Sequence, residues 1–271
     1  MLYSHNGSYL NNNDSVALVA EMIRPGSRVL DVGCGAGDLG RLLQKKNCRV
    51  WGIEYEAENA AASEQIGAYE KIYRWDMNHF QAEMLVDNFD YIVCADVLEH
   101  LMKPEYAVSQ LKKLLAPEAK LIISVPNVAH ASIKANLLLN DWTYTELGIL
   151  DKTHLRFFTA KSFVDFLSNL GLVIEAWKMT MLPADGFQPH RLKELPYEVS
   201  AFISDDAYSE VMQFIVQTRL VKVGEKNALK NNEKFLKQEK RRFSGSRLMF
   251  EVKRLLLVKF PGLIKYVQRW R

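Results

Sequence analysis

Three glycines lie close together near the start of the chain, and a carboxylate stands just before them. Asp31 comes two residues before Gly33, and Gly35 and Gly37 follow at intervals of two. Glycines at such a turn let the backbone approach a ligand closely, and a helix that follows offers free N–H groups. Related loops hold the pyrophosphate of a dinucleotide, but Asp31 would repel that anion. The pattern therefore indicates a ligand that carries an ammonium group.

Three further carboxylates end or follow the next apolar runs of the chain. Glu54 lies 21 residues beyond Gly33, Asp76 ends the third run, and Asp96 follows the fourth. A carboxylate in the place of Glu54 can accept hydrogen bonds from both hydroxyls of a ribose. Asp76 could accept one from an exocyclic adenine amine. Ligands of open α/β sheets bind beyond the carboxyl ends of the strands, so we expect all these acids to face one crevice.

Strand-like and helix-like segments alternate along most of the chain and would position these acids. The alternation predicts an α/β fold, with a mostly parallel seven-stranded sheet and helices on both of its faces. Two successive strands near the end, separated by a long excursion over 183–210, predict an antiparallel edge. The predicted strands are 28–32, 49–54, 71–75, 89–95, 120–125, 172–181 and 211–223, and the predicted helices include 38–46, 57–66, 104–115 and 162–170.

The composition is that of a globular protein and excludes several other classes. Of the 271 residues, 48% are hydrophobic and 25% are charged, which argues against general disorder and fibrous repeats. No apolar run is long enough to span a bilayer, and residues 1–13 lack the apolar core of a secretory signal. Three cysteines are too few for a disulfide framework. We therefore expect a cytoplasmic protein in a reducing compartment.

The net charge of +3 conceals two parts of opposite sign. Residues 222–271 hold 15 Lys and Arg against 4 Asp and Glu, a net charge of +11, whereas residues 1–221 hold 20 against 28, a net charge of −8. We therefore predict an acidic body over 1–223 and a basic helical tail over 224–271. Such an asymmetry indicates a polyanionic partner for the tail.

The end of the tail mixes apolar clusters with Lys and Arg. Tyr266 and Trp270 lie among the basic residues of 247–271, a pattern typical of helices that bind an anionic membrane surface. This interpretation predicts peripheral attachment at the inner membrane face. The alternative is that the apolar face packs on the body or on a second subunit. Nucleic acid is the least favoured partner, because the tail is rich in Leu and Val and the body is acidic.

The glycine loop and the acids together resemble the class I S-adenosylmethionine-dependent methyltransferases over residues 16–223. Residues 29–37 are similar to the glycine motif of that family, 53–54 to its ribose-binding acid, and 89–101 to the segment beside the methionine part of the cofactor. The resemblance implies a Rossmann-like sheet, a methyltransferase enzyme and S-adenosylmethionine (SAM) as cofactor. The expected cofactor contacts are Asp31, Gly33, Cys34, Gly35, Gly37, Glu54, Tyr55, Asp76, Met77, Asp96 and Val97.

A narrower resemblance concerns residues 125–130 and 148–159. These segments look like a bacterial subgroup found with glycosyltransferases and surface-polysaccharide synthesis, which is also similar to the ubiquinone-pathway O-methyltransferases. The subgroup implies O-methylation of a sugar hydroxyl on a nucleotide- or lipid-linked glycan precursor. The alternatives are a quinone-type phenol or a sugar amine as acceptor. A tRNA or protein methyltransferase, or a non-catalytic partner that keeps the fold, would be a different class.

Three histidines fall in segments that should surround the crevice. His100, His130 and His154 are candidates for the base that a hydroxyl acceptor requires. Asp151 precedes His154 by three residues and could orient or charge it. Each histidine could instead be structural, as a helix cap, a packing residue or part of a polar knot with Arg156. Asp151 and His154 could also join a metal site, but no Cys/His ligand cluster is present, so no metal is predicted.

The long connection over 127–160 is predicted to form a lid over the acceptor. Connections of this length usually have a function or contain their own helix, which we place at 132–140. Its aromatic residues could stack on a sugar or quinone ring, or they could form the core of the lid. Segment 183–190 would add a second wall, and Tyr3, His5 or Tyr9 could close over the cofactor. The expected substrate contacts are Asn127, Trp142, Tyr144, Asp151 and Arg156.

Overall fold

The computed structural model describes residues 14–85, 87–183, 191–225 and 227–241. Seven strands form one sheet, and helices flank it. The strands are β1 (Arg28–Val32), β2 (Arg49–Ile53), β3 (Lys71–Tyr73), β4 (Phe89–Ala95), β5 (Leu115–Pro126), β6 (Leu172–Met181) and β7 (Val211–Leu220). The helices are α1 (Ser15–Met22), α2 (Asp38–Gln44), α3 (Ala57–Ile66), α4 (Pro104–Leu111), α5 (Ala131–Leu138), α6 (Ala160–Asn169), α7 (Tyr197–Asp205) and α8 (230–241).

The sheet has the strand order β3-β2-β1-β4-β5-β7-β6. Strands β1 to β5 pair in parallel, whereas β7 pairs antiparallel with both β5 and β6. The predicted fold class, a mostly parallel Rossmann-like sheet with an antiparallel edge, is confirmed. The chain runs outward from β1 to β3 and returns to the other side of β1 for β4. The topological switch point therefore lies between β1 and β4, where sheets of this kind bind their ligands.

Strand β4 shows how the core is divided between the two faces of the sheet. Ile92 and Cys94 belong to one buried apolar cluster, and Tyr91 and Val93 belong to another. Successive side chains of a strand point to opposite faces, so the alternation means that β4 is covered on both sides. A strand buried on both faces reads as a continuous apolar run, which is why the sequence predicted its bounds correctly.

Local sequence explains where two of the helices begin. The carboxylate of Asp14 accepts hydrogen bonds from the N–H groups of Val16 at 2.9 Å and Ala17 at 3.3 Å, which caps α1. Thr159 and Ser162 form a reciprocal capping box at α6, in which each hydroxyl accepts from the backbone N–H of the other residue. Such caps satisfy N–H groups that the first turn of a helix leaves free.

Two segments differ from the prediction. Strand β5 begins at Leu115, because the pairing with β4 jumps from Phe89–Leu115 to Tyr91–Lys120 and leaves an irregular stretch between them. The proline in that stretch concealed the earlier start. The excursion between the last two strands contains α7, whose only fully buried side chain within the helix is Ile203. A helix with so little buried apolar surface gives a weak periodic signal.

The first part of the predicted tail packs on the body. Asn232 of α8 is fully buried, and its amide donates to the carbonyl of Leu172 at 2.8 Å and to the hydroxyl of Ser168 at 3.0 Å. Its side-chain oxygen accepts from the N–H of Ile174 on β6, the outermost strand, at 2.9 Å. Residues 228–236 therefore pack as part of the body, although they lie beyond the boundary predicted at residue 223.

Some predicted features lie outside the described residues. These are Tyr3, His5 and Tyr9, the wall segment 184–190, and the basic segment 247–271. Among the helices that the structure does describe, none has the length and the apolar character needed to cross a bilayer.

Candidate functional site

The loop between β1 and α2 brings three glycines to the carboxyl end of the central strand. Gly33, Gly35 and Gly37 have φ angles of +69°, +54° and +88°, a region that residues with a side chain rarely adopt. A Cβ at Gly33 would lie 2.6 Å from Cγ2 of Val97, so the loop packs tightly against the segment after β4. A Cβ at Gly35 would meet nothing within 4 Å. The loop is therefore closed at Gly33 and open at Gly35.

Glu54 follows β2 directly, and two backbone donors hold it against the glycine loop. Its Oε2 accepts from the N–H of Gly35 at 2.8 Å, and its Oε1 accepts from the N–H of Glu56 at 2.8 Å. The side chain is buried. A carboxylate offers about four lone-pair sites, so each oxygen keeps an acceptor site for a further donor. This arrangement suits a ligand that presents two neighbouring hydroxyls.

Asp31 lies inside β1 and is buried beside Tyr69. Its Oδ2 accepts from the Tyr69 hydroxyl at 2.8 Å. Burial raises the pKa of Asp31 to about 7; the hydrogen bond from Tyr69 opposes this shift, and the nearby charge of Glu54 adds to it. The carboxyl group is therefore close to its titration point at neutral pH. A cationic ligand nearby would favour its charged form.

Asp76 lies three residues beyond the end of β3 and is half-buried. Its carboxylate accepts from the N–H of Asn78 at 2.8 Å and pairs with Nδ1 of His79 at 2.9 Å. Partial burial acts to raise the pKa of Asp76, but the hydrogen bonds from Asn78 and His79 outweigh it and lower the pKa. Asp76 is therefore a charged acceptor. Of its predicted neighbours, Tyr55 is exposed and Met77 is buried in the core.

Asp96 ends β4 in a backbone conformation that is unusual for its residue type. Its φ is +54°. Its Oδ1 accepts from the hydroxyl of Ser124 at 3.0 Å, and its Oδ2 accepts from the amide of Gln213 at 2.7 Å. Burial raises the pKa of Asp96, against the opposing hydrogen bonds and the nearby His154. Left-handed backbone at a residue with a side chain is often found at functional sites, and here β5 and β7 hold it in place.

His130 caps helix α5, and both of its ring nitrogens are engaged. Nε2 donates to the carbonyl of Leu182 at 2.7 Å, and Nδ1 lies 2.8 Å from the Ser132 hydroxyl and accepts from the Ser132 N–H. The side chain is fully buried. To act as the predicted base, His130 would have to release one of these nitrogens. The contacts give it a structural part in joining α5 to the end of β6.

The other two histidines lie together beyond the end of β4. The rings of His100 and His154 meet edge to face, with their centroids 4.7 Å apart. Glu99 lies beside them, and one ligand atom from each of the three residues falls within 4.8 Å of the other two. Burial, with the neighbouring His154, lowers the pKa of His100, so the neutral ring is favoured. We call Glu99, His100 and His154 the Glu-His-His cluster.

Asp151 reaches this cluster through a threonine. Its Oδ1 accepts from the Thr153 hydroxyl at 2.6 Å, and that hydroxyl lies 2.9 Å from Nδ1 of His100. The sequence predicted that Asp151 orients His154, whereas these hydrogen bonds connect it to His100. The ring of His154 is instead oriented by the carbonyl of Ile149, 3.0 Å from its Nδ1.

The predicted substrate residues fall into two groups. The amide of Asn127 donates to the carbonyls of Tyr208 and Val211 and is fully buried, so it fastens the end of β5. Trp142 and Tyr144 are 36% and 49% exposed, so their rings are available at the surface of the lid.

The lid also has contacts that fix it to the body. The guanidinium of Arg156 donates to the carbonyl of Met102. The backbone N–H groups of Leu155 and Arg156 both donate to the carbonyl of Glu99, at 2.7 Å and 3.0 Å. The segment after the lid helix is therefore held directly against the Glu-His-His cluster.

A sequence profile for the methyltransferase domain matches residues 3–176. The matched region is more than half of the chain and includes the glycine loop and all four predicted acids. The chain belongs to the class I S-adenosylmethionine-dependent methyltransferases. The predictions of the family, the enzyme class and the cofactor are therefore confirmed.

Two curated proteins illustrate what the methyltransferase is similar to. It is 34% identical over 116 residues to the ubiquinone biosynthesis O-methyltransferase of Psychrobacter arcticus, which covers 40% of this chain and 44% of that protein. It is 28% identical over 171 residues to a bifunctional methionine biosynthesis protein of Rhodopirellula baltica, which covers 58% of this chain and 27% of that protein. The methyltransferase thus spans less than half the length of these relatives.

Solved structures support the fold. An S-adenosylmethionine-dependent methyltransferase from Mesorhizobium loti aligns with a TM-score of 0.53 and 14% identity, over 77% of this chain and 99% of that one. The magnesium protoporphyrin IX methyltransferase of Synechocystis, solved with bound S-adenosylhomocysteine, aligns with a TM-score of 0.50 and 18% identity, over 75% and 78%. At these identities the likeness concerns the fold alone.

The donor set of the methyltransferase fits SAM. Gly35 leaves open space at the loop, and Glu54 keeps acceptor sites for two hydroxyls. Asp31 and Asp96 supply carboxyl groups at the ends of β1 and β4, on either side of the switch point, where a cationic ligand is favoured. Cys34 is buried against Ser63 of α3, so its thiol takes part in packing the loop. The individual contacts to SAM stay predictions.

Sequence reasoning missed several residues that complete the site. Tyr69 and Gln213 hold Asp31 and Asp96, but they come from distant segments and no spacing announces them. Glu99 had a signal, since it lies three residues after Asp96 and next to His100. A buried acid beside a histidine at a strand end is a pattern that could have marked it.

Proposed function

We propose that the methyltransferase transfers the methyl group of SAM to a hydroxyl oxygen of a small or lipid-linked acceptor. SAM, when bound, supplies an electrophilic methyl group on a positively charged sulfur. The observation that carries the proposal is the position of the Glu-His-His cluster. It follows Asp96 by three to four residues at the end of β4, beside the switch point where the cofactor residues meet.

A hydroxyl acceptor differs from an amine in what it requires of the protein. The hydroxyl must lose its proton as it becomes a nucleophile, whereas a free amine already has a lone pair. The Glu-His-His cluster places two imidazoles and a carboxylate together, which is the kind of site that can hold a hydroxyl and promote loss of its proton. The name of the Psychrobacter relative, an O-methyltransferase, supports oxygen as the accepting atom.

We further propose a sugar hydroxyl of a nucleotide- or lipid-linked glycan precursor as the acceptor. The exposed rings of Trp142 and Tyr144 support this proposal, because flat aromatic surfaces stack on sugar rings. Leu137 and Leu138 on α5 are each 56% exposed, which suits an acceptor with a lipid part. The second candidate is a quinone-type phenol, which the printed name of the ubiquinone biosynthesis relative favours.

Radiolabelled SAM distinguishes the two acceptors. The purified protein is incubated with nucleotide sugars, with lipid-linked saccharides, with a dihydroxyphenol and with bulk tRNA, and label is counted in each fraction. Label in a saccharide fraction supports the sugar proposal, and label only in the phenol establishes the second candidate. Label in tRNA alone, or in no acceptor despite measured binding of SAM, would contradict O-methylation of a small molecule.

The basic segment supports a further part of the proposal, attachment of the protein to an anionic membrane surface. Residues 247–271 carry most of the positive charge of the tail, together with Tyr266 and Trp270. Each Lys or Arg near an anionic leaflet contributes about 1 kcal/mol. Vesicles with anionic lipid should therefore retain the full chain, and retention should fall when Lys253, Arg254 and Lys259 are changed to Gln. Equal retention by purely neutral vesicles would contradict the electrostatic attachment.

A further inference from the structure

Glu99 is a buried carboxylate with no compensating partner among the described residues. Its side chain is fully buried, and neither carboxylate oxygen has a hydrogen-bond partner there. An unpaired charge in the interior costs several kcal/mol, so buried acids are normally paired, hydrogen-bonded or bound to a metal. The side chains that approach Glu99 most closely as a ligand set are those of His100 and His154.

Hydrogen bonds fix which nitrogen of each imidazole is free. Nδ1 of His154 lies 3.0 Å from the carbonyl of Ile149, and a carbonyl only accepts, so Nδ1 carries the proton and Nε2 a lone pair. The Thr153 hydroxyl gives its single proton to the carboxylate of Asp151 at 2.6 Å. It therefore accepts from Nδ1 of His100, and Nε2 of His100 also carries a lone pair.

We propose that Glu99, His100 and His154 bind a divalent transition-metal ion of the zinc type. Two imidazole nitrogens and one carboxylate form a donor set that suits Zn²⁺, with at least one coordination position left open. The ligand atoms already lie within 4.8 Å of one another. Ligand atoms around an ion at about 2.1 Å stand roughly 3.4 Å apart in a tetrahedral site, so small side-chain movements would close the shell.

The surroundings of the cluster have the features of an outer shell. Metal-bound histidines almost always donate their second nitrogen to a carbonyl or to a carboxylate, which fixes the orientation of the ring. Ile149 does this for His154, and Thr153 with Asp151 does it for His100. His100 is only half-buried, so the cluster is accessible from its side.

The ion would act on the acceptor hydroxyl, and this role rests on the proposed function. An ion with an open position binds a hydroxyl oxygen and lowers its pKa, so that the proton leaves to water near neutral pH. The imidazoles of His100 and His154 would then serve as ligands and not as bases. Because the cluster follows Asp96 at the end of β4, the bound oxygen would lie next to the cofactor crevice.

Metal binding can be measured without any acceptor. The full chain is treated with chelator, dialysed against Zn²⁺, and its metal content is determined; Co²⁺ is added separately, and its visible absorption reports the coordination. We expect one Zn²⁺ per chain, and a loss of affinity of about tenfold or more in Glu99→Gln, His154→Asn and the outer-shell variant Thr153→Val. His79→Asn and Glu70→Gln are the matched controls, since both residues are exposed and lie outside the cluster, and both variants should keep the metal.

Two results would overturn the proposal. One is wild-type protein that binds no stoichiometric Zn²⁺, and the other is cluster variants that bind as tightly as the controls. SAM binding measured on the same samples shows that each variant is folded. It also separates the two proposals, because protein that binds SAM but no metal contradicts this inference alone.

Discussion

Replacing Asp31 by Asn should change how the stability of the cofactor-free protein depends on pH. Asp31 is buried, and burial raises its pKa from 3.8 to about 7 in the folded chain. In the unfolded chain the carboxyl group ionises near its ordinary value. Between about pH 4 and pH 7 the folded state therefore holds a proton that the unfolded state has released, and stability falls as the pH rises. Asn keeps the shape and the acceptor for Tyr69 but does not titrate.

The size of the effect follows from the shift. Each pKa unit corresponds to about 1.4 kcal/mol, so a shift from 3.8 to about 7 is worth about 4 kcal/mol when fully expressed. About 2 to 3 kcal/mol of this falls between pH 5 and pH 7. The assay is urea unfolding of both proteins at pH 5, 6, 7 and 8. The advantage of the Asn variant in unfolding free energy should grow by that amount from pH 5 to pH 7 and level off by pH 8.

Tyr69→Phe provides a control of opposite sign. It removes the hydroxyl that donates to Asp31 and holds its pKa down, so the pH dependence should extend to higher pH. A free-energy difference between Asp31→Asn and wild type that is constant from pH 5 to pH 8 would refute the reasoning, because it would mean that Asp31 does not retain its proton in the folded chain.

Three further predictions concern packing around the site. Gly33→Ala should cost about 3 kcal/mol or more, because its Cβ would overlap Val97, whereas Gly35→Ala should cost only about 1 to 2 kcal/mol of backbone strain; equal losses in thermal or urea unfolding would contradict this difference. His130→Ala should lower the unfolding free energy by about 2 to 4 kcal/mol through loss of a helix cap and a buried hydrogen bond, and unchanged stability would argue against its capping role. Asn232→Ala should cost about 2 to 4 kcal/mol because it leaves buried groups of β6 and its neighbours unpaired, and a loss below about 0.5 kcal/mol would mean that α8 is not docked as described.

The sheet could be predicted from the sequence because its strands are short apolar runs separated by turn residues. The bounds of β1 and β4 were predicted correctly for this reason. Helices α7 and α8 were harder. The weak burial of α7 leaves little periodic signal, and the docking of α8 depends on Asn232, a polar residue whose burial is visible only in three dimensions.

The cofactor side of the site could be predicted further than the acceptor side. Asp31 and Glu54 stand at fixed distances from the glycines, so spacing along the chain identifies them. The Glu-His-His cluster combines neighbours on one segment with a histidine more than fifty residues away. Nothing in the sequence states that His100 and His154 meet, or that His130 has both nitrogens engaged. Those facts depend on how the lid folds back onto β4.

Calorimetric titration of the full chain with SAM tests the central claim most directly. The account predicts saturable binding of one SAM per chain, weakened by about 10- to 100-fold in Glu54→Gln, because the amide loses acceptor sites for the ribose hydroxyls. The matched variant Glu56→Gln, an exposed neighbour, should bind like the wild type. Absence of SAM binding to the wild type, or equal affinities in wild type and Glu54→Gln, would contradict the assignment of the crevice at the carboxyl ends of β1, β2 and β4.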